Sequence, residues 1–192
     1  NFSLAIEDIL LKIKTNKIQP PFKVVNWYCK GILNSASHFI TLFNLLFGEP
    51  KFVELIKKSS ITYSSKEENL DFDLDFKIKY ENSEVFFHAL DHSNYFHNSF
   101  KIYARNGMLS YDNGGDSISW FPVTSKGIYS GYKVLSNNPD IIESNFNTLQ
   151  LDFVNNLWKN INGKNSQICS GEEALNTMII IDKILNLQHE ER

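Results

Sequence analysis

A short stretch near the start of the chain carries the residues best suited to chemistry. Asn34 and His38 are four residues apart at the predicted beginning of a helix, so both side chains project from the same side, one turn from each other. A histidine at a covered helix start is suited to taking a proton from an alcohol while hydride leaves the same carbon. Spacing alone leaves a second interpretation open, in which His38 is a structural hydrogen-bonding group.

The elements that position this pair are predicted from the spacing of apolar residues. Apolar side chains recur on one helical face from about residue 3 to 16, which predicts a first helix. After two consecutive prolines, residues 22–30 are rich in β-branched and aromatic side chains and predict a strand long enough to be central in a sheet. A second helix is predicted over residues 35–47, so Asn34 and His38 lie where the strand leads into this helix.

From about residue 51 to 123 the apolar spacing changes from 3.6 to 2, which indicates strands. Between residues 70 and 80 every second residue is apolar and the others are charged, so this segment is predicted as one strand with a solvated face. Short turn-like spacings between these runs permit only antiparallel hairpins. The candidate partner strands are residues 52–58, 84–91, 98–105, 108–112 and 117–122.

The last third of the chain is predicted as an irregular connection, residues 124–144, followed by two helices. The first helix covers about 146–161, and the second opens with a capping box from Ser170 to Glu173. The side chains expected to be buried are Phe146, Leu149, Phe153 and Leu157 in the first helix and Ala174, Met178, Ile181 and Leu185 in the second.

The order of elements predicts a single domain over residues 1–192 with an α+β fold. We expect an open, mostly antiparallel β-sheet with helices packed on one face. The other face of the sheet is either solvated or a subunit interface, and the sequence leaves both open.

Composition excludes several classes of function. The formal net charge is −3, with 19 basic and 22 acidic residues interspersed, so no basic field exists to attract nucleic acid or a membrane surface. No apolar run approaches the roughly 20 residues that cross a bilayer, and the two cysteines, Cys29 and Cys169, are sparse enough to be free thiols. We therefore expect a cytoplasmic protein.

A metal site is not expected from the histidines. His88 and His92 lie on or beside a predicted strand, where four residues span roughly 13 Å, which is too far for both to hold one ion. Serine hydrolase and Cys-His nucleophile patterns are also absent from the sequence.

The stretch around His38 resembles the C-terminal domain of the glucose-fructose oxidoreductase, inositol dehydrogenase and rhizopine-catabolism (Gfo/Idh/MocA) family. In that family the helix is entered by Gly-x-x-Asp-x-x-x-His and closed by Leu-x-Gly. The matching positions here are Gly31, Asn34, His38, Ile40, Thr41, Leu42, Phe47 and Gly48. The similar segments elsewhere are Phe2 to Lys17, Phe100 to Leu109 and Leu151 to Leu187.

The resemblance implies a domain that presents a sugar, nucleotide-sugar or polyol substrate to an N-terminal Rossmann domain, which holds NAD or NADP. It implies that His38 is the general acid or base, with Asn34 standing where the family usually has Asp. It further implies substrate contacts from Tyr28 and Lys30 on the strand before the helix. Two residues in loop-like stretches, Tyr95 and Tyr132, are weaker substrate candidates by the same placement.

The chain alone is not expected to transfer hydride or to bind a cofactor. None of its 9 glycines forms the Gly-x-Gly-x-x-Gly turn of a dinucleotide site, and the family's second catalytic segment, with its lysine, is missing. Residue 1 is Asn and leads at once into a helical pattern, so we expect a further segment before it, and the resemblance implies that this segment is a Rossmann domain. A broad open sheet is a natural subunit interface, so we expect a homo-oligomer formed through the open sheet face. The alternative is a binding or oligomerisation module that kept the sheet and lost the chemistry.

Overall fold

The computed structural model describes residues 4–58, 62–64, 70–126, 131–144, 146–164 and 168–189. The four α-helices of this part are α1 (Leu4–Lys14), α2 (Ser37–Phe47), α3 (Leu149–Ile161) and α4 (Gly171–His189), and a π-helical turn (Ile32–Ala36) leads into α2. The strands are β1 (Phe22–Cys29), β2 (Phe52–Lys57), β3 (Thr62–Ser64), β4 (Leu70–Phe72), β5 (Asp75–Lys79), β6 (Ser83–Leu90), β7 (Ser99–Ala104), β8 (Gly107–Asp112), β9 (Ser117–Thr124), β10 (Val134–Leu135) and β11 (Asp140–Ile141).

Nine strands form one open sheet in the order β10-β9-β8-β7-β1-β6-β5-β2, with β11 also paired to β9. Every pairing is antiparallel except that between β1 and β6, which is parallel. Strands β3 and β4 form a separate two-stranded sheet. The predicted α+β class and the open, mostly antiparallel sheet are confirmed.

Strand β1 is the centre of the sheet because the chain inserts it between β6 and β7, two strands that lie far from it in sequence. Val24 of β1 pairs with Val85 on one side and Ile102 on the other, and all three are fully buried. Side chains alternate between the two faces along a strand, so one face of β1 belongs to the core and the other points away from the helices. The hairpin spacings predicted the meander but not this insertion.

The core contains side chains from α1, α2, α4 and the sheet, and beneath α2 it includes a cluster of aromatic rings. The ring of Phe43 on α2 packs edge-on against Phe87, with 5.8 Å between centroids, and against Phe100, at 5.3 Å. On the sheet, Phe87 stacks on Phe76 at 4.3 Å, and Phe100 stacks on Tyr111 at 4.4 Å. Offset stacking and edge-to-face packing both suit the aromatic quadrupole, so α2 is held firmly on the centre of the sheet.

The segment predicted as one strand over residues 70–80 is two strands. β4 ends at Phe72 and β5 begins at Asp75, and the break brings Leu74 into the core with no exposed surface. The Tyr28 hydroxyl donates to the Leu74 carbonyl oxygen at 2.7 Å and accepts from the Leu74 N–H at 3.0 Å. The prediction was wrong because Asp71 and Asp73, near the break, accept hydrogen bonds from backbone N–H groups and are not simply solvated.

The two C-terminal helices are confirmed, but most of their predicted buried positions are wrong. At α4 the capping box is present, with Ser170 N–H donating to Glu173 at 2.7 Å and Glu173 N–H donating to Ser170 Oγ at 3.2 Å. The residues that α4 buries are Thr177, Ile180, Ile181, Ile184 and Gln188, whereas Ala174 and Met178 are exposed. In α3, Phe153 and Leu157 are exposed and Leu149 is half-buried, while Phe146 lies outside the described side chains. The amphipathic spacing located both helices but did not predict which side of each helix is buried.

No helix in the described part of the chain is long and apolar enough to span a lipid bilayer.

Phe43→Ala tests the aromatic core. Removing this fully buried ring leaves a cavity beneath α2, so we expect the free energy of unfolding to fall by about 3–5 kcal/mol. Phe153→Ala is the matched control because the same side chain is 45% exposed on α3, and its loss should cost less than about 0.5 kcal/mol. Urea denaturation followed by circular dichroism measures both, and equal losses would contradict this account of the core.

Candidate functional site

The connection between β1 and α2 is a tight turn in which position 31 requires glycine. Lys30 and Gly31 both have left-handed backbones, with φ of 68° and 81°. A Cβ atom built on Gly31 would lie 2.1 Å from Cγ of Asp71, so any other residue here would displace that carboxylate. Gly31 therefore lets Asp71 approach the first turn of the helical segment.

Two carboxylates cap the start of this helical segment, which we call the helix mouth. The Asp71 carboxylate accepts from the backbone N–H groups of Leu33 at 2.9 Å and Asn34 at 3.0 Å. Asp73 accepts from the Gly31 N–H at 2.9 Å. The first N–H groups of a helix have no partner within it, and a negative charge there is also favoured by the helix dipole. The two aspartates thus fasten the helix start to the break between β4 and β5.

His38 is exposed one turn beyond this capped mouth, and Asn34 is also exposed. A pocket of about 370 Å³ opens beside His38, between α1, α2, the end of β8 and the start of α3. Its wall is formed by Ile6, Ser35, His38, Phe39, Thr41, Leu42, Asn98, Tyr111, Gly114, Leu149 and Cys169. His38 belongs to this wall, whereas Asn34 lies outside it. The structure therefore separates the roles of the two predicted residues.

Several polar groups of the pocket wall are held in place by hydrogen bonds. The Asn98 side-chain oxygen accepts from the Cys29 N–H at 3.2 Å and from Ser35 Oγ at 3.4 Å. The Tyr111 hydroxyl donates to the Gly114 carbonyl oxygen at 2.7 Å, and burial raises the pKa of Tyr111 to about 12. Tyr111 is therefore a neutral phenol at physiological pH, with lone pairs left to accept a hydrogen bond.

Thr41, which stands where the family motif has a second acidic residue, ties two helices together. Its hydroxyl lies 2.9 Å from the Ser37 carbonyl oxygen and 2.8 Å from the hydroxyl of Thr177 on α4. If Thr41 donates to Ser37, Thr177 must donate to Thr41, so both protons are used. The residue contributes to packing between α2 and α4 as well as to the pocket wall.

The four predicted substrate-binding residues do not form one site. Tyr28 is fully buried and both hydrogen bonds of its hydroxyl go to Leu74, so this residue is a core residue and is withdrawn as a substrate contact. Tyr28 and Lys30 were expected on one side of the strand, but β1 ends at Cys29 and the left-handed turn redirects Lys30. Lys30 is exposed, with Nζ 5.4 Å from the ring centroid of Phe96.

Tyr95 and Tyr132 are both exposed, at 61% and 70%. Tyr95 precedes Phe96 in the connection between β6 and β7, so it belongs to the same sheet end as Lys30. No contact of the described residues joins Tyr132 to this group or to the pocket. Neither tyrosine lines the pocket beside His38.

Sequence reasoning missed Asp71, Asp73, Asn98 and Tyr111. A weak signal for the two aspartates was present, because Asp is depleted in strands and here two of them occupy successive polar positions of the alternation. Asn98 and Tyr111 left no such signal, since their role depends on which loops meet at the pocket. The histidines away from the site are otherwise engaged: His88 Nδ1 lies 3.4 Å from Asp75, and His97 Nε2 lies 2.8 Å from Ser99 Oγ. Among the described residues no three His, Cys, Asp or Glu side chains are grouped to hold a metal ion.

Comparisons of the whole chain identify the fold. No family model and no curated protein matches the sequence. Among solved structures, an NAD binding oxidoreductase from Klebsiella pneumoniae superposes with a TM-score of 0.70 at 9% identity, over 98% of this chain and 62% of that one. An aldose-aldose oxidoreductase from Caulobacter crescentus complexed with glycerol gives 0.69 at 14% identity, over 100% and 60%. The chain has the fold of the C-terminal domain of Gfo/Idh/MocA-type oxidoreductases.

A third structure with this Gfo/Idh/MocA-type fold is the WlbA dehydrogenase from Bordetella pertussis in complex with NADH and UDP-GlcNAcA. It gives a TM-score of 0.62 at 12% identity, over 98% of this chain and 58% of that one. The chain thus spans between 58% and 62% of the length of the three structures. The fold resemblance inferred from the motif around His38 is confirmed.

Asp71→Ala tests the cap that holds the mouth of the helix. Loss of the carboxylate leaves the N–H groups of Leu33 and Asn34 without their acceptor, so we expect the protein to lose about 2 kcal/mol of stability. Asp116→Ala removes an exposed carboxylate after β8 and should change stability by less than about 0.5 kcal/mol. Chemical denaturation compares the two variants, and an unchanged midpoint for Asp71→Ala would show that the cap is dispensable.

Proposed function

We propose that this chain is the substrate-binding and assembly domain of an NAD(P)-dependent oxidoreductase that acts on a sugar, nucleotide-sugar or polyol hydroxyl. The observation that carries the proposal is His38, an exposed imidazole in the wall of a pocket lined by polar and apolar side chains, on a helix whose start is hydrogen-bonded to the sheet. The Gfo/Idh/MocA-type fold supports it. We propose a cytoplasmic location, in keeping with the sparse cysteines.

In this proposal His38 exchanges the proton of the substrate hydroxyl. A neutral imidazole nitrogen accepts that proton as hydride leaves the same carbon for a nicotinamide, and an imidazolium returns it in the reverse direction. Asn34, one turn away, offers an amide that orients a hydroxyl or the imidazole but supplies no negative charge.

The pocket supports a substrate rich in hydroxyl groups. Ser35, Thr41 and Asn98 contribute hydrogen-bonding groups, and Tyr111 adds a phenol that stays neutral. Phe39 and Leu42 supply apolar surface between them. A sugar or polyol presents both hydroxyls and apolar C–H faces, and this mixture of wall groups can meet both.

The chain's own residues do not fit a dinucleotide at the helix mouth. A pyrophosphate binds the free backbone N–H groups at the start of a helix after a strand, as in glycine-rich nucleotide sites. Here the N–H groups of Gly31, Leu33 and Asn34 already donate to aspartate carboxylates, and these negative charges repel phosphate. We therefore assign NAD or NADP to a Rossmann domain of the parent protein, which would close over the pocket from outside.

The open face of the sheet supports self-association of this domain. It carries the half-buried Phe86 between the ammonium groups of Lys23 and Lys77, each 5.8 Å from the ring centroid. Trp27 and Tyr103 are exposed on the same face, at 41% and 45%. Exposed aromatic side chains are enriched in protein interfaces, so we propose a homo-oligomer through this face.

A second function is favoured by one residue. Asn34 replaces the family's acidic residue, and the lost negative charge weakens support for an imidazolium at His38. A binding or oligomerisation module without turnover would keep the sheet, the pocket and the cap while tolerating this change.

His38→Ala decides between these two functions when it is made in the natural polypeptide that carries this domain. We expect that protein to oxidise or reduce some member of a panel of sugars and polyols, measured as a change in nicotinamide absorbance. In the variant, kcat should be about 10²–10⁴-fold lower. His189→Ala, at the exposed end of α4, is the matched histidine control and should retain wild-type rates. Sugar binding by calorimetry without any turnover of the wild type would favour the module, and full turnover by His38→Ala would remove this residue from the chemistry.

Tyr103→Asp tests assembly through the sheet. A charge at this exposed aromatic position should weaken the homo-oligomer at least about tenfold in Kd, because it must be desolvated without a partner. Sedimentation velocity over a range of concentrations measures the effect. Leu11→Asp, at a 57% exposed position on α1, carries the same charge and should leave the oligomer intact. A wild-type chain that stays monomeric would contradict the proposal.

A further inference from the structure

Helix α3 exposes more apolar side chains than an ordinary surface helix and half-buries two polar ones. Its half-buried residues are Leu149, Asp152 and Asn156, of which two are polar. Its apolar residues are exposed instead, and the exposed set consists of Leu151 (61%), Phe153 (45%), Val154 (57%), Leu157 (37%), Trp158 (55%) and Ile161 (75%). Phe153 lies next to the half-buried side of the helix, and we call the other five residues the outer face of α3.

The outer face is contiguous. At 100° per residue, Val154, Trp158 and Ile161 fall within one arc of about 60°, with Leu151 and Leu157 at its two flanks. The half-buried Asp152 and Asn156 lie on the opposite side. The Lys164 ammonium lies 4.6 Å from the ring centroid of Trp158 and covers part of that ring. Contiguous apolar surface of this kind on a soluble protein marks a contact with another protein surface.

The first turn of α3 adjoins the candidate active site. Leu149, the first residue of α3, lines the pocket that holds His38 from the half-buried side of the helix. The outer face begins with Leu151 in the same turn, on the other side of the helix. A body that covers the exposed His38 and the start of α3 therefore lies next to the outer face.

We propose that the outer face of α3 is the docking surface for the nucleotide-binding domain of the parent protein. This inference rests on the proposed function and adds the place where the two domains meet. The matched structures support a body of the right size, because this chain covers only 58% to 62% of their length. A second copy is less suited to the outer face, since self-association is already proposed for the open sheet and the pocket would still need a cover.

Trp158→Glu in the natural polypeptide that carries this domain tests the inference, with Asn155→Glu as a control of equal charge on the polar flank of α3. Differential scanning calorimetry with and without NADH is the measurement. We expect one cooperative transition, raised by NADH, in the wild type and in Asn155→Glu. In Trp158→Glu the transition should split in two, with NADH raising only the one that belongs to the nucleotide-binding domain. In the 192-residue chain alone, Trp158→Glu should leave the melting temperature within about 1 °C of wild type.

The outcomes separate failure of the inference from failure of the proposed function. A parent that is stabilised by NADH but melts as one unit with Trp158→Glu overturns the docking surface alone. A wild-type parent that neither NADH nor NADPH stabilises, with each tested in the same calorimetric experiment, removes the oxidoreductase proposal and, with it, this occupant. Concentration-dependent association of the 192-residue chain that Trp158→Glu abolishes would assign the outer face to a second copy and overturn the inference. A large loss of stability in the 192-residue chain would show that Trp158 serves this domain's own fold.

Discussion

The structure of this domain depends on two carboxylates that join the helix mouth to the sheet. Asp71 and Asp73 lie at the break between β4 and β5, and their oxygens accept the N–H groups of Gly31, Leu33 and Asn34. Without them the first turn of the helical segment would lose the acceptors for these donors, together with the favourable contact between negative charge and the helix dipole. The break itself is held from below by Tyr28, whose hydroxyl both donates to and accepts from Leu74. The end of β4 therefore positions the carboxylates that cap the start of the helical segment.

In the proposed function this arrangement divides the chemistry between two domains. The turn from β1 into α2 has the strand, glycine and helix order that elsewhere binds a phosphate, yet its N–H groups are occupied by negative side chains. The same capping fixes the direction in which α2 leaves the sheet and so where His38 stands on the pocket wall. A residue set that excludes the dinucleotide and presents an imidazole is the composition expected of the substrate half of a two-domain enzyme.

The sequence predicted the elements more fully than their burial. The spacing of apolar residues located the helices and most strands, because periodicity follows from local geometry. The position of β1 between β6 and β7 could not be predicted, since it depends on contacts between distant segments. The motif around His38 pointed to the correct fold, yet Tyr28 was misassigned because a tyrosine on a core-facing strand position resembles one that faces a ligand. Asp71 was interpreted as solvated because an alternating pattern does not show which polar positions are taken up by backbone N–H groups.

The two faces that this domain presents to other bodies differ in chemistry, and the difference follows from what each has to contact. On the open sheet, charges are paired across strands, as in the 2.8 Å contact of Lys77 with Glu54, and Lys23 and Lys77 flank Phe86. Paired charges tolerate water, so such a face remains soluble when it is uncovered. The outer face of α3 has no ion pair among its five apolar residues, and its one cation, Lys164, lies over Trp158. Two polar residues, Asp152 and Asn156, are half-buried on the opposite side of α3, so the helix presents an apolar surface that is suited to contact with another apolar surface. A domain with one wettable face and one apolar helix is therefore suited to reversible association through its sheet and permanent attachment through α3.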